Sequence, residues 1–477
     1  MTIKRNICLL AVLLICVFSN AKVQPSALIA DNMVLQQQAE ARLWGKAEPD
    51  ATVNVTPSWN NQTYTCLADG KGNWSVSIPT PKAGFTPYEI CFDDGEKLTV
   101  KGVLIGEVWL ASGQSNMEMP LKGFAGCCVE GGFDEIAFSA QWARHIRFFT
   151  VPLRQSYEPL EDVEGSWAVP SPQTSPEFSA TAWFFATTLS EVLQVPVGIV
   201  SCAYGGSKVE SWTNRELLEQ YPDVSLRPED MEKQVAYERP MLMYNAMFLP
   251  VRHYTVRGIL WYQGCSNVGY HQTYARRLAN MVELWRSEME QGDIPFYAVE
   301  IAPYEYEGSQ DGLAPYLREA QWEAIRLIPN SDMICINDLV KPYERYNIHP
   351  GDKKQVGRRL SYLALNHTYG KQQFFCQHPR YKSFTVKGDE VWVAIDNIGM
   401  GICRNYDIQG FEVAGEDRLF HPADSVWLHW QTNEIVVSSR RVKAPVAVRY
   451  CFRDFSLGTL YGGNWMPLIP FRSDTWE

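Results

Sequence analysis

Four segments of this chain, each in a loop beyond a strand-like run, hold residues that could together carry out acyl transfer through a covalent intermediate. In the first, the apolar residues 103–111 lead straight into Ser112-Gly-Gln-Ser-Asn-Met117. Ser115 thus follows a strand end, and Gly113 permits the tight turn that would expose its hydroxyl and aim its N–H at a developing oxyanion. An ordinary polar turn would read the same way from this segment alone. The second follows a run ending at Val200 and holds Gly205-Gly206, where a backbone N–H could approach a reacting carbonyl closely, or where the chain simply turns. The third, Trp261-Tyr-Gln-Gly-Cys-Ser-Asn267, offers Gln263 and Asn267 as neutral donors that stabilise an oxyanion without adding a competing charge. The fourth is Asn347-Ile-His-Pro350, whose His349 has the residue type of a general base at neutral pH. His145, His253 and His271 are rivals for that role among the eight histidines.

These segments need a scaffold that brings strand ends together. Residues 195–200, 257–262, 295–301 and 332–336 read as buried strands, and 182–193, 274–290 and 353–365 as helices, the second with Leu278, Met281, Val282 and Trp285 at helical spacing. Alternating strands and helices predict an α/β class, a doubly wound parallel sheet with loops gathered at its carboxyl edge. Residues 22–102 and 372–477 instead show short alternating runs separated by turn clusters, which predicts β-rich segments on either side, the first sandwich-like. The expected division is therefore 1–21, 22–102, 103–371 and 372–477.

Residues 1–21 read as an export signal. Lys4 and Arg5 precede an apolar run at 7–18, and Ser19-Asn20-Ala21 suits cleavage after Ala21. The run is short for a membrane span, so no membrane insertion is expected after cleavage, and the mature chain is expected in the periplasm or outside the cell. The net charge of −11 excludes nucleic acid or an anionic membrane surface as the expected partner. Of 12 cysteines, Cys8 and Cys16 leave with the signal. No C-x-x-C pair is present, which disfavours a structural zinc site. Cys66 with Cys91 is the first disulfide pairing to test. Four sequons, at Asn54, Asn61, Asn73 and Asn366, would matter only in a glycosylating host.

Together the four segments, from Gly106-Glu-Val-Trp-Leu-Ala-Ser-Gly-Gln-Ser-Asn-Met117 through Gly205-Gly-Ser-Lys-Val-Glu-Ser-Trp212 and Trp261-Tyr-Gln-Gly-Cys-Ser-Asn267 to Ile348-His-Pro350, resemble the sialate O-acetylesterase family of SGNH hydrolases. The likeness extends to Asp31-Asn-Met-Val-Leu-Gln36, Gly410-Phe-Glu-Val-Ala-Gly415 and Val448-Arg-Tyr450. The resemblance implies hydrolysis of acetyl esters on carbohydrates, with no metal and no cofactor. It implies Ser115 as nucleophile and His349 as base, and an oxyanion hole from the N–H groups of Ser115 and Gly206 with the side chain of Gln263 or Asn267. Two positions depart from the family pattern: Asn347 stands where members often have Asp, and Cys265 where they often have Glu. Asn347 could orient His349 but cannot offset an imidazolium charge. The triad acid is thus open between Asp338, Glu344 and none. Cys265 is not expected to be a nucleophile, because no basic residue adjoins it. Sialic acid O-acetyl groups are the first substrate expected, and acetylated xylan the second. The competing classes are a carbohydrate-binding protein without catalysis and a lipase, the latter disfavoured by the absence of a long apolar lid segment.

Overall fold

The structure, a computed structural model, describes residues 22–404 and 407–476. The expected export signal lies outside the described residues. The N-terminal region contributes strands β1 (Gln24–Pro25), β2 (Val34–Gln36), β3 (Glu40–Lys46), β4 (Thr52–Pro57), β5 (Tyr64–Leu67), β6 (Asn73–Pro79), β7 (Gly84–Asp93) and β8 (Lys97–Gly113). Strands β1, β3 and β6 form one sheet, while β2, β4, β5 and β7 join a larger sheet through β8.

Strand β8 is the spine of the molecule. Its first residues alternate between exposed and buried, whereas from Val103 to Gly113 every residue is buried. The outer half pairs antiparallel with β7, and the inner half continues into the central sheet. The expected division between residues 102 and 103 therefore falls inside one continuous strand.

The central sheet adds β9 (Ile146–Thr150), β10 (Trp167–Ala168), β11 (Val197–Ala203), β12 (Gly258–Tyr262), β13 (Phe296–Val299) and β14 (Ser331–Ile334) in the order β10-β9-β11-β8-β12-β13-β14. All neighbours are parallel except β10 on β9. It is a mixed α/β arrangement with a mixed sheet at its centre. Strands β11, β12 and β13 are buried along their whole length. That is the expected pattern when helices cover both faces, because neither face then needs polar residues.

Helix α1 (Ser115–Glu118) follows β8 directly. Helices α2 (Ala180–Leu193) and α5 (Lys353–Leu363) pack on one face, with Phe185, Leu189, Leu360 and Leu363 in a common core. Helices α3 (His271–Met289) and α4 (Ala314–Leu327) cover the other, led by Leu278, Met281, Trp285 and Leu317. Gly357 permits the close crossing of α5 on α2, since a Cβ there would lie 2.6 Å from Phe184 Cβ. The chain builds β9 and β11 on one side of β8, then β12 to β14 on the other. The carboxyl end of β8 thus lies between these two groups of strands.

Strands β15 (Arg380–Lys387), β16 (Glu390–Asp396), β17 (Phe411–Ala414), β18 (His421–Pro422), β19 (Ser425–His429), β20 (Glu434–Ser438), β21 (Ala447–Tyr450) and β22 (Phe471–Arg472) form two four-stranded sheets around a separate core that includes Val391, Val413, Val437 and Tyr450.

One sequence expectation is corrected here. Cys66 and Cys91 are unbonded. They lie on β5 and β7, which flank β4 on opposite sides. Two inter-strand spacings, about 10 Å, exceed the reach of a disulfide. Among the described residues, no helix is long and apolar enough to cross a membrane.

Candidate active site

Ser115 is held by what happens at the end of β8. Gly113 has φ +133°, and a Cβ on it would lie 2.3 Å from the carbonyl oxygen of Tyr262. That close approach lets the Gln114 N–H donate to the same carbonyl (2.9 Å), while the Gln114 side-chain oxygen accepts from the Gly264 N–H (2.8 Å). The Ser115 loop is thereby stapled to β12 and the loop after it. Ser115 opens α1, so its N–H has no acceptor within the helix. Its side chain is half-buried and reaches solvent.

The second loop lies against the first. Tyr204 N–H donates to Gly113 O (3.1 Å), and the Gly205 N–H donates to the Glu118 carboxylate (2.5 Å). A Cβ on Gly205 would come within 3.4 Å of Ser115 Cβ. Gly206 has φ +75°, a conformation that favours glycine, and the Tyr237 ring walls it so closely that a Cβ would lie 2.5 Å away. Among the described residues no acceptor takes the Gly206 N–H. Burial raises the pKa of the Glu118 carboxyl, opposed by the Gly205 N–H.

Gln263 and Asn267 are both buried. The Gln263 amide nitrogen donates to Ser207 O (3.0 Å) and to Asn267 Oδ1 (2.7 Å), which uses both of its hydrogens. Its oxygen accepts from the Tyr274 hydroxyl (2.9 Å). Asn267 Oδ1 also accepts the Val209 N–H (3.1 Å), and Asn267 Nδ2 donates one hydrogen to Glu210 (3.0 Å). Glu210 is in turn paired with Arg277 (2.6 Å). The second Nδ2 hydrogen of Asn267 meets no acceptor among the described residues.

His349 comes from the loop between β14 and α5, and its Nε2 lies 2.8 Å from Ser115 Oγ. Among the described residues, Asn347 makes no hydrogen bond to the imidazole. Its Oδ1 accepts the His349 backbone N–H (3.0 Å) and the Cys127 thiol (3.3 Å). His349 Nδ1 faces Cys127 Sγ at 3.9 Å, and the Phe124 ring meets the imidazole edge-on at 5.3 Å. Burial, with the Lys353 charge behind it, pushes His349 down to about 4. Lys353, the first residue of α5, is fully buried; burial lowers it to about 7. Its Nζ donates to Asn116 Oδ1 (2.6 Å), and Asn116 Nδ2 donates to Ile348 O (2.9 Å). Asn116 therefore ties the serine loop to the histidine loop.

The two carboxylates considered as triad acid are engaged elsewhere. Asp338 forms a buried two-pronged pair with Arg359 (2.7 and 2.6 Å). Glu344 accepts from the N–H groups of Lys341 and Gly351 (2.8 Å each), which clamps the ends of the His349 loop. The rival histidines are also committed, His145 to Ser190 (3.1 Å), His253 to Arg42 (3.0 Å) and His271 against the Tyr316 ring. Cys265 is buried, which raises its thiol pKa and leaves it a poor nucleophile. Among the described residues no group of three or more His, Cys, Asp or Glu could hold a metal ion.

Sequence reasoning missed Glu118, Cys127, Tyr237 and Lys353. Glu118 alone carried a signal, since residues three apart on a helix share a face with Ser115. The other three reach the site from distant loops or helix ends.

The profile of the family described as carbohydrate esterase, sialic acid-specific acetylesterase, matches residues 105–366, more than half of the chain. The chain belongs to this family. It is an esterase. Among its relatives, the sialate O-acetylesterase of Mus musculus is 29% identical over 411 residues, covering 74% of each chain. That of Homo sapiens is 29% identical over 389 residues, covering 74% of this esterase and 72% of the relative. A carbohydrate acetylesterase from Xanthomonas citri has a similar crystal structure, with a TM-score of 0.83 and 32% identity, covering 95% of this chain and all of the other.

Proposed function

We propose that this esterase removes acetyl groups from O-acetylated carbohydrates through a serine nucleophile and an acetyl-enzyme, with 9-O-acetylated sialic acids as the first substrate and acetylated xylan as the second. The observation that carries the reading is the 2.8 Å approach of His349 Nε2 to Ser115 Oγ at the carboxyl end of β8. In this mechanism His349 takes the hydroxyl proton as Oγ attacks the acetyl carbonyl. The carbonyl oxygen becomes an oxyanion between the N–H groups of Ser115 and Gly206 and the uncommitted amide hydrogen of Asn267. Asn267 is preferred to Gln263 as the side-chain donor, because both amide hydrogens of Gln263 are already engaged. His349 then protonates the departing sugar oxygen. Water enters, gives a proton to His349 and attacks the acetyl group, and the proton returns to Ser115 Oγ as acetate leaves.

The same proposal includes a doubly wound SGNH-type catalytic region at 103–371 between β-rich regions at 22–102 and 372–477. The parallel order around β8 and the helices on both faces support it. Residues 1–21 act as the signal that exports the chain to the periplasm or beyond.

The test is acetate release from a panel of acetylated sialosides and xylo-oligosaccharides, with Ser115→Ala as control. Release from the 9-O-acetyl sialoside that disappears in Ser115→Ala is the expected result. Release that persists in Ser115→Ala overturns the serine assignment, and release from xylo-oligosaccharides alone overturns the sialate assignment.

A further inference from the structure

We propose that Cys127 is the positioning residue of His349, its thiol standing where serine hydrolases usually place a carboxylate. The inference rests on the serine–histidine reading above and adds the group that sets the state of the base.

For Nε2 to accept the Ser115 proton, the neutral imidazole must carry its own hydrogen on Nδ1, and something must hold that tautomer in place. Among the described residues, the polar side-chain atom facing Nδ1 is the sulfur of Cys127, at 3.9 Å. Asp338 and Glu344 spend their oxygens on Arg359 and on backbone N–H groups. The direction of the chain of donors can be read from one fixed point. The atom of Asn347 that receives the His349 backbone N–H must be an acceptor, so it is the oxygen. The same oxygen lies 3.3 Å from Cys127 Sγ, so the thiol hydrogen points at it. The sulfur lone pairs are then left for Nδ1–H. Each link donates to the next: Ser115 Oγ–H to Nε2, Nδ1–H to Sγ, Sγ–H to Asn347 Oδ1.

The thiol is also held in place. Phe124 and Cys127 exchange backbone hydrogen bonds (2.9 and 3.0 Å) in a tight hairpin, and the Phe124 ring packs edge-on against the same imidazole. Glu130 N–H donates to Gly351 O (2.9 Å), which joins this loop to the far end of the His349 loop. Two side chains from one hairpin thus grip the ring, one by packing and one by polarity. The Lys353 charge, from α5, also acts on the imidazole, and the Glu344 carboxylate acts on Lys353. Neither makes a hydrogen bond to Nδ1 among the described residues. A neutral thiol can fix ring and tautomer, yet it cannot offset the imidazolium charge as a carboxylate would.

The experiment uses the mature protein labelled with 15N-histidine, with the His349 resonance assigned through His349→Ala. Nitrogen shifts at neutral pH in the wild-type protein should place the hydrogen of His349 on Nδ1, and Cys127→Ala should mix the two tautomers. In parallel, kcat and KM for a chromogenic acetate ester are measured against pH. Cys127→Ala should lower kcat about tenfold, with KM within about twofold, in the range of a lost orienting hydrogen bond. Cys127→Ser should restore most of the Nδ1–H population and of kcat. Cys127→Asp should move the acid limb upward by about one pH unit or more, because a carboxylate favours the imidazolium. A wild-type His349 protonated on Nε2, or a Cys127→Ala protein with unchanged tautomer and kcat, overturns the proposal. The nitrogen shifts need no turnover, so a wild-type protein inactive on every ester would overturn the esterase mechanism while the tautomer still judged Cys127.

Discussion

On the serine side of the site, Gln263 and Asn267 are locked by Tyr274, Ser207, Val209 and Glu210, and Glu210 by Arg277. On the histidine side, the imidazole is steadied by a thiol and the edge of a phenyl ring from a short hairpin. The first region is a dense amide network with one Asn267 hydrogen left over and a buried ion pair behind it, and the second gives the imidazole Nδ1 only a neutral partner. The difference teaches where stabilisation resides. Fixed amide donors meet charge as it develops on the substrate without having to reorganise, whereas a base without a carboxylate partner gains orientation but little charge compensation.

The largest expected effect removes the meeting point of the two regions. Ser115→Ala and His349→Ala should each lower kcat by about 10^3-fold or more, and the double variant should lose little further, since residues acting as a unit are not additive. Additive losses in acetate-release kinetics would break the claim that the two sides work together. Next comes the serine side alone. Asn267→Ala should lower kcat by about 10^2-fold or more, as loss of one oxyanion donor does, with KM for a small acetate ester little changed. A loss confined to KM would move the donor role elsewhere. Gly206→Ala should be milder, lowering kcat about tenfold and stability by about 1–3 kcal/mol, because alanine must hold a positive φ against the Tyr237 ring. Thermal unfolding with parallel kinetics checks both parts.

The smallest effects concern pH. His349 is held down to about 4, so the active neutral base persists above that value and is lost as pH falls through it. The kcat/KM profile should therefore keep its plateau through pH 5 and drop near 4. Lys353→Met removes a buried positive charge that disfavours the imidazolium, so the acid limb should move upward, by about half a pH unit. A downward move would break this account of how the histidine side is tuned.

The first three strand ends were legible because apolar runs leading into Ser115, Gly205-Gly206 and Gln263 are local patterns, whereas His349 was legible from its residue type in a loop beyond a strand. The helices at 182–193, 274–290 and 353–365 were legible through their period, though the last gives way at Ala364 to a wider turn. Cys127 was not legible, since its meaning comes from a 222-residue separation that no spacing rule encodes. Lys353 stood in the sequence only as the first residue of a predicted helix, and nothing local shows that its Nζ comes to lie over the Tyr262 ring. The placement of Asp338 was hidden for a similar reason: its partner Arg359 lies across a loop and a helical turn. The change in patterning at Val103 was visible, but it marks a change of surroundings along one strand, not a break between two.

That strand has a consequence for dissecting the molecule. Its 17 residues span about 55 Å, from an edge of the N-terminal sheet to the turn that carries Ser115. A cut between residues 102 and 103 therefore severs a strand, not a linker. A truncation that begins the chain at residue 103 would strip the first residues of that strand of β2 and β7 while leaving β11 and β12 beside its Ser115 end, so its thermal stability should fall below that of the full chain.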